Sequence, residues 1–258
     1  NHSLPKVEAQ LVVDAGFAAD QHAAPGTSSL TLEMLDEGAG SRDSLAIAEA
    51  LDRAGAQVAT VGNLDVSTVS LSALSASLDP ALEIFADMVL RPSFPQKELD
   101  RLKAQRLAAI AREKSDPNAM TRRVIGRLVY GDGHAYGIPL SGTGNEDAVS
   151  RLTREDLVAF HRAWFRPNAA TLIVAGDVSM DALRGKLERL FGSWERADVP
   201  VKNLAAVAPR GGGTIHLIDK PGASQSVIVA AEPGPPKAVP DDLAIEAMNR
   251  VFGGAFTS

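Results

Sequence analysis

Apolar and polar positions alternate from Lys6 to Ala15, with Val7, Ala9, Leu11, Val13 and Ala15 on one side and Glu8, Gln10 and Asp14 on the other. A period of two over that length predicts a half-buried strand. After a loop at Gly16–Gly26 the period lengthens. Leu30, Met34 and Leu35 space a helix over Ser28–Asp36, ended by Gly38 and Gly40. Leu45, Ile47, Ala48 and Leu51 space a second helix over Ser44–Ala54. Gln57–Gly62 and Val66–Leu74 predict two strands paired around a turn at Asn63–Asp65. Three helical patterns follow: Asp79–Leu90, a long one from Pro95 to Lys114 with Leu99, Leu102, Leu107 and Ile110 as its apolar stripe, and Pro117–Tyr130. A glycine-rich loop spans Gly131–Gly144. Beyond it, Thr153 caps a helix that reaches Trp164, with Asp156 in its first turn. Thr171–Ala175 predicts a buried strand closed by Gly176, and Ser179–Phe191 a capped helix.

The stretch from Ala197 to Gly213 loses this periodicity and reads as a linker. Thr214–Ile218 and Ser226–Ala231 then predict strands, and Asp241–Phe252 a helix, repeating the strand-then-helix order of the opening. The expectation is an α+β fold with a mixed or antiparallel sheet covered by helices on one face, built as two homologous domains. The first runs over 1–196, the linker over 197–213, and the second begins at 214. Two strands and a helix bury too little surface to stand alone, so the chain reads as a piece of a longer polypeptide.

Composition narrows the chemistry. Of 258 residues, 45% are hydrophobic and 22% charged, which suits a globular protein. The formal net charge of −6, without a Lys/Arg block, argues against nucleic acid or an anionic membrane surface as main partner. No apolar run reaches the length of a membrane span. The absence of cysteine removes disulfides, thiolate metal sites and Cys nucleophiles, and leaves periplasm and cytoplasm equally open. The five histidines are His2, His22, His134, His161 and His216, and no two share one helical face. No G-x-S-x-G elbow occurs: Gly222–Ser226 opens a strand, and Gly211–Gly213 lacks the Lys-Ser/Thr of a phosphate loop.

An ordered set of short motifs runs the length of the chain: Leu4-Pro5-x-Val7 with Ala15-Gly16; Leu35-Asp36-Glu37-Gly38 before Ser41-Arg42-Asp43-Ser44; Arg91-Pro92-Ser93-Phe94; Gly133-His134-Ala135-Tyr136-Gly137 with Gly142-Thr143; Leu152-Thr153-Arg154-Glu155-Asp156-Leu157; Phe165-Arg166-Pro167-Asn168; and Val174-Ala175-Gly176-Asp177. Together they resemble the insulinase/pitrilysin family of zinc metallopeptidases, which includes the mitochondrial processing peptidases and their bacterial relatives. Active members of that family carry H-x-x-E-H on a helix, with two zinc-binding histidines and a glutamate base. The helix here reads Ser29-Leu30-Thr31-Leu32-Glu33, so Ser29 and Glu33 stand for the histidines and Leu32 for the base. The third ligand, a glutamate in a later Leu-Glu-Glu-Ile stretch, is replaced at Ala108 and Ala109.

The resemblance therefore implies a chain with no metal or catalytic residue of its own. It implies a non-catalytic half that binds unfolded peptide and completes a proteolytic chamber with a zinc-bearing partner of the same family. A purely structural core subunit of a larger complex is the alternative, and a hydrolase using unrecognised residues the third reading. Gly253, Gly254 and Phe256 resemble a loop near which processing peptidases meet substrate. A helper arginine and tyrosine would fall beyond Ser258. Glu33 and Glu37 read as solvated carboxylates near a helix end, Glu113 as part of an exposed helix end, His134 as a packing residue and His161 as a partly buried structural histidine.

Overall fold

The computed structural model describes residues 4–208, 212–237 and 239–254. Strand β1 (Lys6–Val13) lies at the centre of a four-stranded antiparallel sheet ordered β4-β5-β1-β6, with β4 at Gln57–Gly62, β5 at Ser67–Leu74 and β6 at Ala170–Gly176. The alternation read in the sequence sets the faces. Val7, Ala9, Leu11 and Val13 are buried, as are Val69, Leu71 and Ala73 opposite them, while Glu8, Gln10 and their neighbours face away from the core. A one-residue slip would expose all of these apolar positions at once, which is what pins the register.

The buried face is covered by helices, and the fold is α+β. Helix α1 (Thr27–Glu33) is buried over its first six residues and packs on α7 (Arg154–Trp164) and on β4. α2 (Ser44–Ala54) and α3 (Leu78–Leu90) pack together, α4 (Gln96–Glu113) crosses α1, and α8 (Met180–Phe191) rests on α3. Trp164, Phe85, Phe94, Leu30, Leu35 and Leu157 are among the side chains shut completely from solvent. Thr153 and Asp156 cap α7 reciprocally, as their spacing predicts.

Two small elements escaped the sequence pattern. Gly38–Ala39 (β2) pairs with Arg42–Asp43 (β3) where only a helix end was expected, and Glu146–Arg151 forms a short helix, α6, after the glycine-rich loop. α5 (Pro117–Tyr130) falls where its pattern put it. The segment Arg91–Phe94 is held tightly. Arg91 and Arg42 both bind Asp87, Pro92 bridges to Ala39, and Arg154 donates to the carbonyls of Ser93 (2.9 Å) and Phe94 (3.0 Å). Phe94 sits at φ +47, a left-handed conformation unfavourable by about 1–2 kcal/mol, which its full burial and the Arg154 clamp offset.

The region expected to hold two further strands differs. Thr214–Ile218 and Ser226–Ala231 are unpaired among the described residues, and Ile215, Leu217 and Ile228 are almost fully exposed. A β-prone run becomes a strand only when a neighbour supplies the ladder, and none lies beside these segments among the described residues. The helix expected at Asp241–Phe252 appears as α9 (Asp242–Asn249), followed by a π-type turn over Arg250–Gly254.

Candidate functional site

Helix α1 and helix α4 cross at the site. α1 has no N-cap side chain of its own; Gly26 precedes it at φ +102. Its first free amides are taken from outside the helix by Asp20, whose carboxylate oxygens accept from the N–H of Gly26 (2.6 Å) and of Ser28 (2.8 Å). Burial pushes the Asp20 carboxyl up to about 7, against the opposing pull of those two donors and of nearby Arg106.

Ser29 and Glu33 lie at i and i+4, and so share one face of α1. The side chain that meets them is Arg106 of α4. Its Nη1 donates to Ser29 Oγ at 2.7 Å and to the Gly142 carbonyl at 3.1 Å, and its Nη2 donates to Glu33 Oε1 at 2.5 Å. Ser29 Oγ in turn donates to the Gly142 carbonyl at 2.7 Å. Arg106 is 7% exposed while Glu33 is 46% exposed, so the guanidinium is the buried partner. Gly142 can sit here only as glycine. Its φ is +71, and a Cβ would come within 2.4 Å of the Phe17 ring.

The other expected positions fall apart from this cluster. Leu32 is buried and packs at the end of β4, where a Cβ on Gly62 would meet its Cδ2 at 3.3 Å. Ala108 is exposed and Ala109 half-buried. Ala109 lies at i+3 from Arg106, so both belong to the same side of α4. Gly253 adopts φ +136 in an exposed turn away from the core, and Phe256 lies outside the described residues. Gly254 closes the π-type turn.

Four residues read from the sequence gain definite partners in the structure. Glu37 is not a free carboxylate; Arg101 binds it from α4, as Arg106 binds Glu33. Glu113 is not an exposed end but a half-buried acceptor, taking Arg123 at 2.6 Å and Thr143 Oγ1 at 2.8 Å, and so fixing α5 and the glycine-rich loop to α4. His134 stacks on Tyr130 at 4.8 Å and packs edge-on against Tyr136, whose hydroxyl binds Asp65. His161 hydrogen-bonds the Val89 carbonyl at 2.9 Å through Nε2, which must carry the proton because a carbonyl only accepts. Burial holds its pKa down to about 4, with the Val89 bond opposing and Arg166 adding to the shift.

Arg106 was not foreseen from the sequence. Its one available signal was its place one turn before Ala109 in a helix stripe where an arginine interrupts apolar positions. The donor set it completes does not fit zinc. A hydroxyl, one carboxylate and a guanidinium offer no set of three deprotonated ligands, since a guanidinium is a cation with donors only. Among the described residues no three His, Cys, Asp or Glu side chains converge where a metal ion could be held. Nor is any described helix long and apolar enough to cross a membrane.

Residues 1–139 match the family model described as insulinase (peptidase family M16), and residues 151–258 match that described as peptidase M16 inactive domain. The chain is 26% identical over 170 residues to the uncharacterized zinc protease YmxG of Bacillus subtilis, covering 66% of this chain and 41% of that protein. It is 24% identical over 187 residues to the non-peptidase homolog YmxG of Helicobacter pylori, covering 70% of this chain and 41% of that protein. It also resembles the solved peptidase M16 inactive domain from Pseudomonas fluorescens, with a TM-score of 0.75 and 28% identity over 81% of this chain and 50% of that one. The chain spans about half the length of the curated relatives it matches.

Proposed function

The chain belongs to the insulinase family, peptidase family M16, and on that premise we propose that it is a non-catalytic half of a peptidase assembly. In this reading it holds unfolded peptide and completes a chamber around the zinc site of a related partner. The observation that supports the proposal is the Arg106 bridge: Ser29 and Glu33, which the family resemblance sets where active members carry metal ligands, are both committed to an arginine. The peptide would pair with β4, the strand at one edge of the sheet, whose end abuts α1 at Leu32. Backbone pairing at a sheet edge accepts many sequences, which suits an unfolded substrate. The segment from Thr214 would begin a second domain of the same kind, in which the apolar residues now exposed find their sheet.

The test is to assay the whole protein and an intact H-x-x-E-H relative from the same source, each alone and mixed, on unfolded peptides. The expected result is no cleavage by this chain alone and a rise in the partner's kcat/KM of about tenfold or more on mixing, equivalent to about 1.4 kcal/mol of transition-state stabilisation. The physical reason is that two halves are needed to exclude water and hold substrate near the metal. Cleavage by this chain alone, undiminished by a chelator, overturns the proposal in favour of an unrecognised hydrolase. Absence of any gain on mixing overturns it in favour of a structural subunit.

A further inference from the structure

We infer that Arg106 is a resident replacement for the family's metal: a permanent internal cation that ties α1 to α4 and keeps divalent ions out of the space between them. The inference stands on geometry and holds whether or not the chain meets a zinc-bearing partner. Two residues one turn apart on α1 receive one nitrogen each from the guanidinium fork, as two ligands one turn apart would share one ion. The same nitrogen that reaches Ser29 also reaches the carbonyl of Gly142, so the loop is drawn into the same contact.

The substitutions fit together chemically. Loss of a carboxylate at Ala109 clears room on the α4 face that Arg106 uses. Serine at position 29 is short enough to admit the guanidinium and offers an acceptor to it. Glutamate at position 33 supplies a compensating charge in direct contact with the guanidinium, which a neutral histidine would not. An arginine keeps its proton at any accessible pH, so the guanidinium stays cationic under all conditions in which the fold exists. A lone-pair donor set could still be rebuilt around it, but the guanidinium would repel any divalent ion placed there.

The experiment compares Co2+ binding, followed by its visible absorption, in the whole chain and two variants. One carries Ser29→His, Glu33→His and Ala109→Glu; the other adds Arg106→Met to these. The expected result is that the second variant binds Co2+ at least about 100-fold more tightly than the first. Equal affinity, within about threefold, overturns the inference. A double-mutant cycle in the native background keeps the question decidable if the multiple variants do not fold. Arg106→Met and Glu33→Gln, alone and combined, should show a coupling of at least about tenfold in the unfolding constant. Coupling under about twofold overturns the role of Arg106 as the cross-link.

Discussion

Nη2 of Arg106 and Oε1 of Glu33 lie 2.5 Å apart, the nitrogen on a side chain 7% exposed and the oxygen on one 46% exposed. That asymmetry sets what each truncation does. Arg106→Met removes the buried charge, but leaves the Ser29 hydroxyl and one of two bonds to the Gly142 carbonyl without a donor. Glu33→Gln leaves the buried guanidinium without its counter-charge. Breaking a fully buried pair costs about 3–5 kcal/mol, and the exposure of Glu33 lowers this. Each variant should lose about 1–3 kcal/mol in urea unfolding. Arg106→Lys should recover only part of the loss, because one ammonium cannot reproduce the fork.

Asp20 makes stability fall as pH rises from about 4 to about 7. Its folded-state carboxyl is pushed up to about 7 from 3.8, so the folded state prefers the protonated form. That contribution is complete below about pH 4 and is lost as pH rises through 7, with a size on the order of 4 kcal/mol. Asp20→Asn cannot titrate. The difference in unfolding free energy between wild type and variant should therefore shrink between pH 4 and pH 8. A constant difference across that range would show that the two backbone donors, not burial, govern the group.

His161 acts in the opposite direction. Its folded-state pKa is held down to about 4 from 6.5, so the folded state prefers neutral imidazole. The contribution is present above pH 6.5 and is lost as pH falls through 4, amounting to about 3 kcal/mol. His161→Gln keeps a donor for the Val89 carbonyl without a titrating ring. It should lower stability at pH 7 through lost stacking on Phe165, 4.6 Å away, yet flatten the fall between pH 6.5 and pH 4. Denaturation midpoints at half-unit pH steps check both effects.

Much of this architecture is legible in the sequence because it rests on periodicity. The β1 alternation, the Ser44–Ala54 helix and the Thr153–Asp156 cap appear where residue spacing places them. What stayed hidden depends on partners far along the chain. Arg106 meets Ser29 across 77 positions, and Glu113 meets Thr143 across 30. Charged residues at a helix end look solvated until a neighbouring loop covers them. The two strands expected after Thr214 failed for the complementary reason: propensity was present, but pairing is supplied from outside the segment. The absence of an H-x-x-E-H motif was visible in the sequence, whereas the contacts of Arg106 needed coordinates.

Thr31 offers a test of packing at the site helix. Its side-chain oxygen is buried and has no hydrogen-bond partner among the described residues, although its neighbours on α1 are all satisfied or apolar. Burying an unpaired hydroxyl is unfavourable by about 1–3 kcal/mol, and valine has nearly the same shape. Thr31→Val should raise stability by about 1 kcal/mol, seen as a higher urea midpoint with an unchanged slope. A decrease would mean that the hydroxyl finds a partner in solution.

The last prediction concerns the free edge of β4. Along an edge strand, successive residues point their N–H groups alternately into the sheet and out to solvent. Ala59 and Thr60 are consecutive in β4, so one of them donates inward to β5 and the other faces the position a bound peptide would take. Proline removes a backbone donor and is tolerated at an edge only where that donor faces outward. Ala59→Pro and Thr60→Pro should therefore divide cleanly. One should melt well below wild type because a ladder bond is lost; the other should keep its Tm within a few degrees. If unfolded peptide pairs with β4, the stable variant should bind a fluorescent unfolded peptide at least about tenfold more weakly, a loss of about 1.4 kcal/mol. Substituting Ile173 on β6, at the far edge of the sheet, with lysine should leave binding unchanged, because that edge lies three strands away from β4. Undiminished peptide binding by the stable proline variant would remove β4 as the docking strand and direct attention to other surfaces of the chain.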